Sequence, residues 1–152
     1  MIYFAFFDAQ KAMDTARPWM NPIVTQEEYS AIEWVKKNTQ ERDVFVTDIF
    51  GGELLMGNTL REGTEGGDWA IIPKVVERMS DVQYKFYEAK DVKEAWETAR
   101  KYGAKYAWVP DRQVFPGFAW KQVDSSKFED EQYFRLAYYE GVKIYEVKQN
   151  VE

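Results

Sequence analysis

The chain has 152 residues, of which 45% are apolar, 30% charged and 17% aromatic, a composition that suits one globular domain with one core rather than a disordered segment. It holds no histidine and no cysteine, which excludes Ser-His-Asp triads, Cys-His dyads, disulfides and zinc sites. A net charge of −6 provides no long-range field to gather nucleic acid or anionic lipid, so no nucleic-acid partner is expected.

The chain opens with Met1-Ile2-Tyr3-Phe4-Ala5-Phe6-Phe7 and turns polar at Asp8. That run is too short to span a bilayer and lacks the basic start and small-residue cleavage site of a signal peptide. It reads as a buried strand or first helical turn, or as the trailing end of a membrane helix. Arg17-Pro18-Trp19-Met20-Asn21-Pro22, with two prolines, reads as an extended linker. The division expected is therefore a lead-in over 1–21 and a single α/β domain over 22–152.

Thr25-Gln26-Glu27-Glu28 fits a capping box, in which the Thr25 hydroxyl and the Glu28 carboxylate satisfy each other's backbone amides. A helix follows from about Glu27 to Lys37, with Tyr29, Ile32 and Val35 as its apolar stripe and Ala31 and Trp34 beside it. Val44-Phe45-Val46-Thr47 reads as a buried strand that opens through Asp48 into a loop at Gly51-Gly52. Glu53 to Met56 suits a helical turn, and Gly57 to Gly67, with four glycines, an irregular surface loop.

Trp69, Ile72, Val76 and Met79 lie at helical spacing behind Asp68 as a cap, which predicts a helix from Pro73 to Met79. Asp91-Val92-Lys93-Glu94 is a second box, followed by Val92, Ala95, Trp96, Ala99 and Tyr102 on one face until Gly103 stops the helix. Lys105 to Val109 is then a strand ended by Pro110. Phe134 to Tyr139 and Val142 to Val147 are extended runs joined by Glu140-Gly141, an antiparallel hairpin. The fold class expected is α/β, a small three-layer-like sheet whose parallel core strands are flanked by helices and completed by a C-terminal antiparallel hairpin.

In open α/β sheets ligands bind beyond the carboxyl ends of the parallel strands, and both candidate strands end in an acid, Asp48 in one and Asp111 in the other. A crevice formed by Asp48, Gly51, Gly52, Arg61, Asp111 and Arg112 is the candidate ligand site, against the simpler reading that the aspartates only cap loops. Glycine lets a ligand approach backbone amides, and Arg61 or Arg112 suits a phosphate or a carboxylate. Glu62, Glu65 and Asp68 fall in the loop on the same side. The glycine pairs 51–52 and 66–67 lack the surroundings of a phosphate loop, and turns needing positive φ explain them more simply.

Paired carboxylates leave glycoside hydrolysis open without identifying a pair. Glu129-Asp130-Glu131 reads as a solvated helix start. The alternating acids of a calcium loop are absent, and neither metal nor cofactor is expected in this domain. Phe115-Pro116-Gly117-Phe118-Ala119-Trp120 is an aromatic loop that either closes the core with Phe118 and Trp120 or stacks on sugar or peptide.

The order of these pieces resembles a known family. The Thr25 to Asn38 helix, the Val44 to Asp48 strand, Gly51-Gly52, the Gly57-Asn58-Thr59-Leu60-Arg61-Glu62-Gly63 loop, Tyr106 to Asp111 and the Tyr133 to Tyr145 hairpin are similar to the soluble carboxyl-terminal domain of archaeal multi-span membrane glycosyltransferases, over about Pro22 to Val147. That superfamily includes oligosaccharyltransferase catalytic subunits. The resemblance implies a non-catalytic domain on the extracytoplasmic face of the cell membrane, whose partners are the membrane helices of the same parent protein and a lipid-linked sugar or acceptor. The catalytic acids and metal site of such enzymes lie in the membrane part. Oligosaccharyltransferases carry Trp-Trp-Asp-Tyr-Gly after the matching strand, where this chain has Val46-Thr47-Asp48-Ile49-Phe50-Gly51, so only Asp48 and, loosely, Gly51 correspond. The departure favours a broader lipid-phosphosugar-dependent glycosyltransferase. A stand-alone carbohydrate- or protein-interaction module and a small carboxylate-dependent hydrolase are the alternatives.

Overall fold

The structure is a computed structural model that describes residues 2–20, 23–67 and 71–151. Asp68 and Trp69, expected to cap and face a helix, lie outside the described residues, as do Met1, Asn21 and Pro22. The elements in chain order are α1 (Ile2–Met20), α2 (Gln26–Asn38), β1 (Val44–Val46), α3 (Ile49–Asn58), β2 (Glu62–Gly63) and α4 (Val75–Ser80). A π-helix (Asp81–Tyr87), α5 (Val92–Lys101), β3 (Tyr106–Pro110), a 3-10 helix (Ser125–Glu129), β4 (Phe134–Tyr139) and β5 (Val142–Val147) complete them.

The strands form a five-stranded sheet in the order β2-β1-β3-β5-β4. β1 pairs in parallel with both β2 and β3, and β5 runs antiparallel between β3 and β4. The expected α/β class with parallel core strands and an antiparallel terminal hairpin is the observed one. Helices cover both faces because successive residues of each strand point to opposite sides. Phe45, Trp108, Val142 and Ile144 meet Ala31, Ile32 and Val35 of α2 and Leu54 and Leu55 of α3. Val46, Ala107, Val109, Tyr145 and Val147 meet Val82, Phe86 and Tyr87 of the π-helix and Ala95 and Ala99 of α5 on the other side.

Local chemistry explains the element ends. Both arms of the capping box at α2 are formed, Glu28 N donating to Thr25 Oγ1 and Thr25 N to Glu28 Oε2. Asp91 caps α5 through Lys93 N. Lys127 Nζ donates to the carbonyls of Phe86, Tyr87 and Ala89, so a side-chain cation closes the carboxyl end of the π-helix.

Several sequence expectations are corrected. Gly51 and Gly52 sit in the first turn of α3, which continues through Gly57, so the strand opens into a helix and not a loop. The stretch expected as irregular contains the short strand β2. The helix expected to start at Pro73 starts at Val75 and runs on into the π-helix. Residues 17–20 are helical, Pro18 lying inside the last turn of α1, where its missing N–H costs one intrahelical bond and few residues follow it. Among the described residues no helix is long and apolar enough to cross a membrane. Residues 8–17 of α1 are exposed, and the end of the helix meets the domain at Trp19. Tyr29 is exposed, its place on the buried stripe of α2 taken by Glu28. Glu129 ends a 3-10 helix where the acidic run was expected to start a helix.

Trp96 is only partly buried, packing on Tyr133 and donating through Nε1 to Lys148 O at 2.7 Å. Trp96→Ala should therefore cost about 2–3 kcal/mol by urea unfolding, below the ~3–5 of a fully buried tryptophan.

Candidate functional site

The carboxyl ends of β1 and β3 lie side by side, and a buried charge cluster occupies the edge they share. Asp48 follows β1 and caps α3, its Oδ1 accepting from Gly51 N at 3.0 Å. Its Oδ2 accepts from Phe115 N at 3.0 Å. Arg112, two residues past β3, forks between two carboxylates. It reaches Glu28 through Nε (3.0 Å) and Nη2 (2.9 Å) and Asp48 through Nη1 (2.9 Å) and Nη2 (3.1 Å). Its remaining donor goes to Gln113 O at 2.8 Å.

All five guanidinium N–H groups are thereby used, so Arg112 has none left for a phosphate. It orders carboxylates instead. Burial alone would depress the Arg112 pKa, but Asp48 and Glu28 more than offset that and raise it, holding the guanidinium charged. Trp108 Nε1 adds a donor to Glu28 Oε1 at 3.4 Å.

Gly51 and Gly52 serve this cluster by being small. A Cβ on Gly51 would stand 2.8 Å from Asp48 Oδ1 and 3.0 Å from Trp108 Cδ1. On Gly52 it would stand 1.7 Å from Glu65 O. Neither has positive φ, the property expected of both glycine pairs; Gly66 and Gly67 do, at 104° and 81°. Close packing of α3 on the sheet is what excludes a side chain here.

Of the six predicted site residues, the structure thus brings together Asp48, Gly51, Gly52 and Arg112. Asp111 lies at the same sheet edge, but it is exposed and its carboxylate makes no hydrogen bond or ion pair among the described residues. Arg61 is not at this site. It precedes β2 and so belongs to the opposite, amino-terminal edge, where its guanidinium donates to Thr39 Oγ1 at 3.0 Å and to the carbonyls of Val35, Lys36 and Thr39. There it caps the carboxyl end of α2. Glu28 is a member of the cluster that the expected site does not include, although residues 28, 31, 32 and 35 form one helical face on which it is the single acid.

Glu65, 3% exposed, lies beside this cluster with Oε1 lacking any partner among the described residues. Burial pushes its carboxyl up to about 9 against the pull of Arg78, and the Asp48 charge adds to the rise. A neutral acid is favoured in the folded chain while the unfolded one ionises near its ordinary value. Stability from this group is therefore complete below about pH 4.3 and is lost as pH rises toward 9. Glu65→Gln should gain on the wild type by about 1.4 kcal/mol per pH unit across that window, read from urea midpoints at pH 5, 7 and 8.5.

Next to the cluster, the 115–120 loop packs four rings together. Trp19 meets Trp120 and Phe115 edge-on at 5.1 and 5.2 Å between centroids, and Phe50 stacks on Trp120 at 5.6 Å. Phe118 and Trp120 do not close the core: Phe118 is exposed against Tyr84, and Trp120 is only partly buried.

No family model matches the sequence, and no curated protein matches it. Among solved structures, the C-terminal globular domain of an oligosaccharyltransferase from Archaeoglobus fulgidus is similar, with a TM-score of 0.59 and 19% sequence identity. The alignment covers 82% of this chain and 99% of that one. The two share a fold nearly whole.

Proposed function

From this shared fold we propose that the chain is a non-catalytic domain of a membrane-bound, lipid-phosphosugar-dependent glycosyltransferase, assisting the binding of acceptor or donor. The observation that carries the reading is the match across 99% of an oligosaccharyltransferase domain. The parent protein would supply the membrane helices and the catalytic acids, and the domain would stand on the extracytoplasmic face of the membrane. The edge bearing Asp48 and Asp111 would face the substrate, with α1 leading from the membrane part into the domain.

The cluster itself supports an assisting role over a hydrolytic one. Glu28 and Asp48 are fully buried and both are held by one arginine, whereas a glycosidase needs one carboxyl free to give a proton and one free to attack or to activate water.

Incubated with lipid-linked sugars, nucleotide sugars and chromogenic glycosides, the isolated chain should give no turnover. Reproducible turnover that disappears in Asp48→Asn would replace this reading with the hydrolase. In the parent protein, Asp111→Ala should lower transfer without lowering expression, since that side chain supports nothing in the fold. A chromosomal reading frame that begins at Met1 with no membrane segments before it would also end the proposal.

A further inference from the structure

We propose that the groove between the end of α1 and the 115–120 loop is a carbohydrate subsite that takes a pyranose ring of a neutral sugar. The groove measures about 480 Å³ and is walled by Trp19, Phe115 and Trp120, with Asp14, Thr15 and Gln113 contributing polar groups. The inference stands on this groove alone and holds whether the chain is a glycosyltransferase domain or an independent module.

The aromatic faces are presented by a rigid backbone. Val114 and Lys121 exchange backbone hydrogen bonds of 2.8 and 2.9 Å across the base of the loop. Gln83, buried beneath it, accepts from Phe118 N at 3.0 Å and Ala119 N at 3.2 Å. Gly117, at φ 134°, rides directly on Met79, where a Cβ would come within 2.5 Å of the methionine methyl. Phe115 is tied at both backbone groups, its N–H to Asp48 Oδ2 and its carbonyl to Ile49 N at 3.2 Å. A loop fixed at this many points keeps Phe118 at 47% exposed, and Trp19, brought against the loop by the end of α1, is 51% exposed, a standing cost to solubility that a ligand relieves.

The lining selects the ligand class. Pyranose rings offer C–H faces that stack on aromatic rings and hydroxyls that bond at their edges, and the groove has the two kinds of surface side by side. Asp14 and Thr15 can each accept from a sugar hydroxyl, and the Gln113 amide can both give and accept. Trp120 contributes its ring to the wall, while its Nε1 is buried with no acceptor among the described residues. The lining offers an anionic ligand no cation: its charged side chain is Asp14, itself paired with Arg17 at 3.4 Å, and the neighbouring Arg112 has no donor left. An acyl chain would strand the polar groups.

The test is saturation-transfer NMR on the 152-residue chain with maltotriose, chitotriose and α-linked mannotriose. At least one trisaccharide should receive saturation on its ring C–H protons. Trp19→Ala, at a half-exposed position outside both core clusters, should weaken that binding about tenfold, the loss of one aromatic contact. Trp120→Phe keeps a ring of smaller area on the wall, and should weaken it by a smaller factor. Lys90→Ala, outside the groove, should leave it unchanged. No transfer to any of the three sugars by a chain whose circular dichroism shows it folded overturns the proposal. So does binding that Trp19→Ala leaves intact, or saturation of an aromatic peptide in place of the sugars.

Discussion

Arg112→Met should cost about 3–5 kcal/mol, because it leaves Glu28 and Asp48 buried at one sheet edge with no cation between them. Against a total of about 5–15 kcal/mol for a domain of this size, the loss should be plain as a fall in the urea midpoint at pH 7. The cause is uncompensated charge and not lost packing. Neutralising both acids in the same chain, as Glu28→Gln and Asp48→Asn beside Arg112→Met, should therefore return most of the stability. Arg112→Lys should fall between, since a point charge on a flexible stem cannot fork to two carboxylates at once. If the single and triple variants unfold at the same midpoint, the cluster does not hold this edge together.

The second large effect is expected at Trp108, which fills the sheet face beneath α2 and α3 and is fully buried. Trp108→Ala should cost about 3–5 kcal/mol through the cavity it leaves. It should also loosen Asp48, because Gly51 lies against the indole and donates its N–H to that carboxylate. Near-ultraviolet circular dichroism and urea unfolding would measure the two consequences together. A cost of less than about 1 kcal/mol would mean that the layers reclose without the indole, and that the small size of Gly51 is not needed for their fit.

Local signals predicted much of this architecture, and their successes and failures have separate physical causes. The capping box before α2, the cap and glycine stop around α5, and the Glu140-Gly141 hairpin are short-range devices, complete within a few residues, and the structure contains each. The two aspartates at one edge came from strand direction, which β1 and β3 satisfy. Gly51-Gly52 reads as a turn in the sequence because a glycine pair carries the same letters whether it serves a turn or a close approach. The deciding atom here is Glu65 O, thirteen residues further along the chain from Gly52. Arg61 falls with the crevice by its neighbours in sequence, although residues just before a parallel strand end up a strand length away from those just after one. Glu28 is legible in the sequence as a cap and not as a charge partner, because its second role depends on an arginine 84 residues away.

The π-helix over Asp81–Tyr87 bears on how this protein can change length. Its wide winding, visible in the bond from Glu88 N to Gln83 O at 2.9 Å, lets two residues of one turn serve two masters: Gln83 holds the aromatic loop, and Tyr87 donates from its hydroxyl to Trp108 O at 2.8 Å. Tightened to ordinary α winding, the same seven residues would turn Tyr87 relative to Gln83, and one anchor would be lost. The segment behaves as an α-helix that has absorbed an insertion. Losing one residue at exposed Tyr84 restores regular winding there with little rotation of the chain beyond it, whereas the same loss within α5 swings its buried face by about 100°. Length variation among descendants of this chain is thus far less costly in the π-helix than in the helix after it.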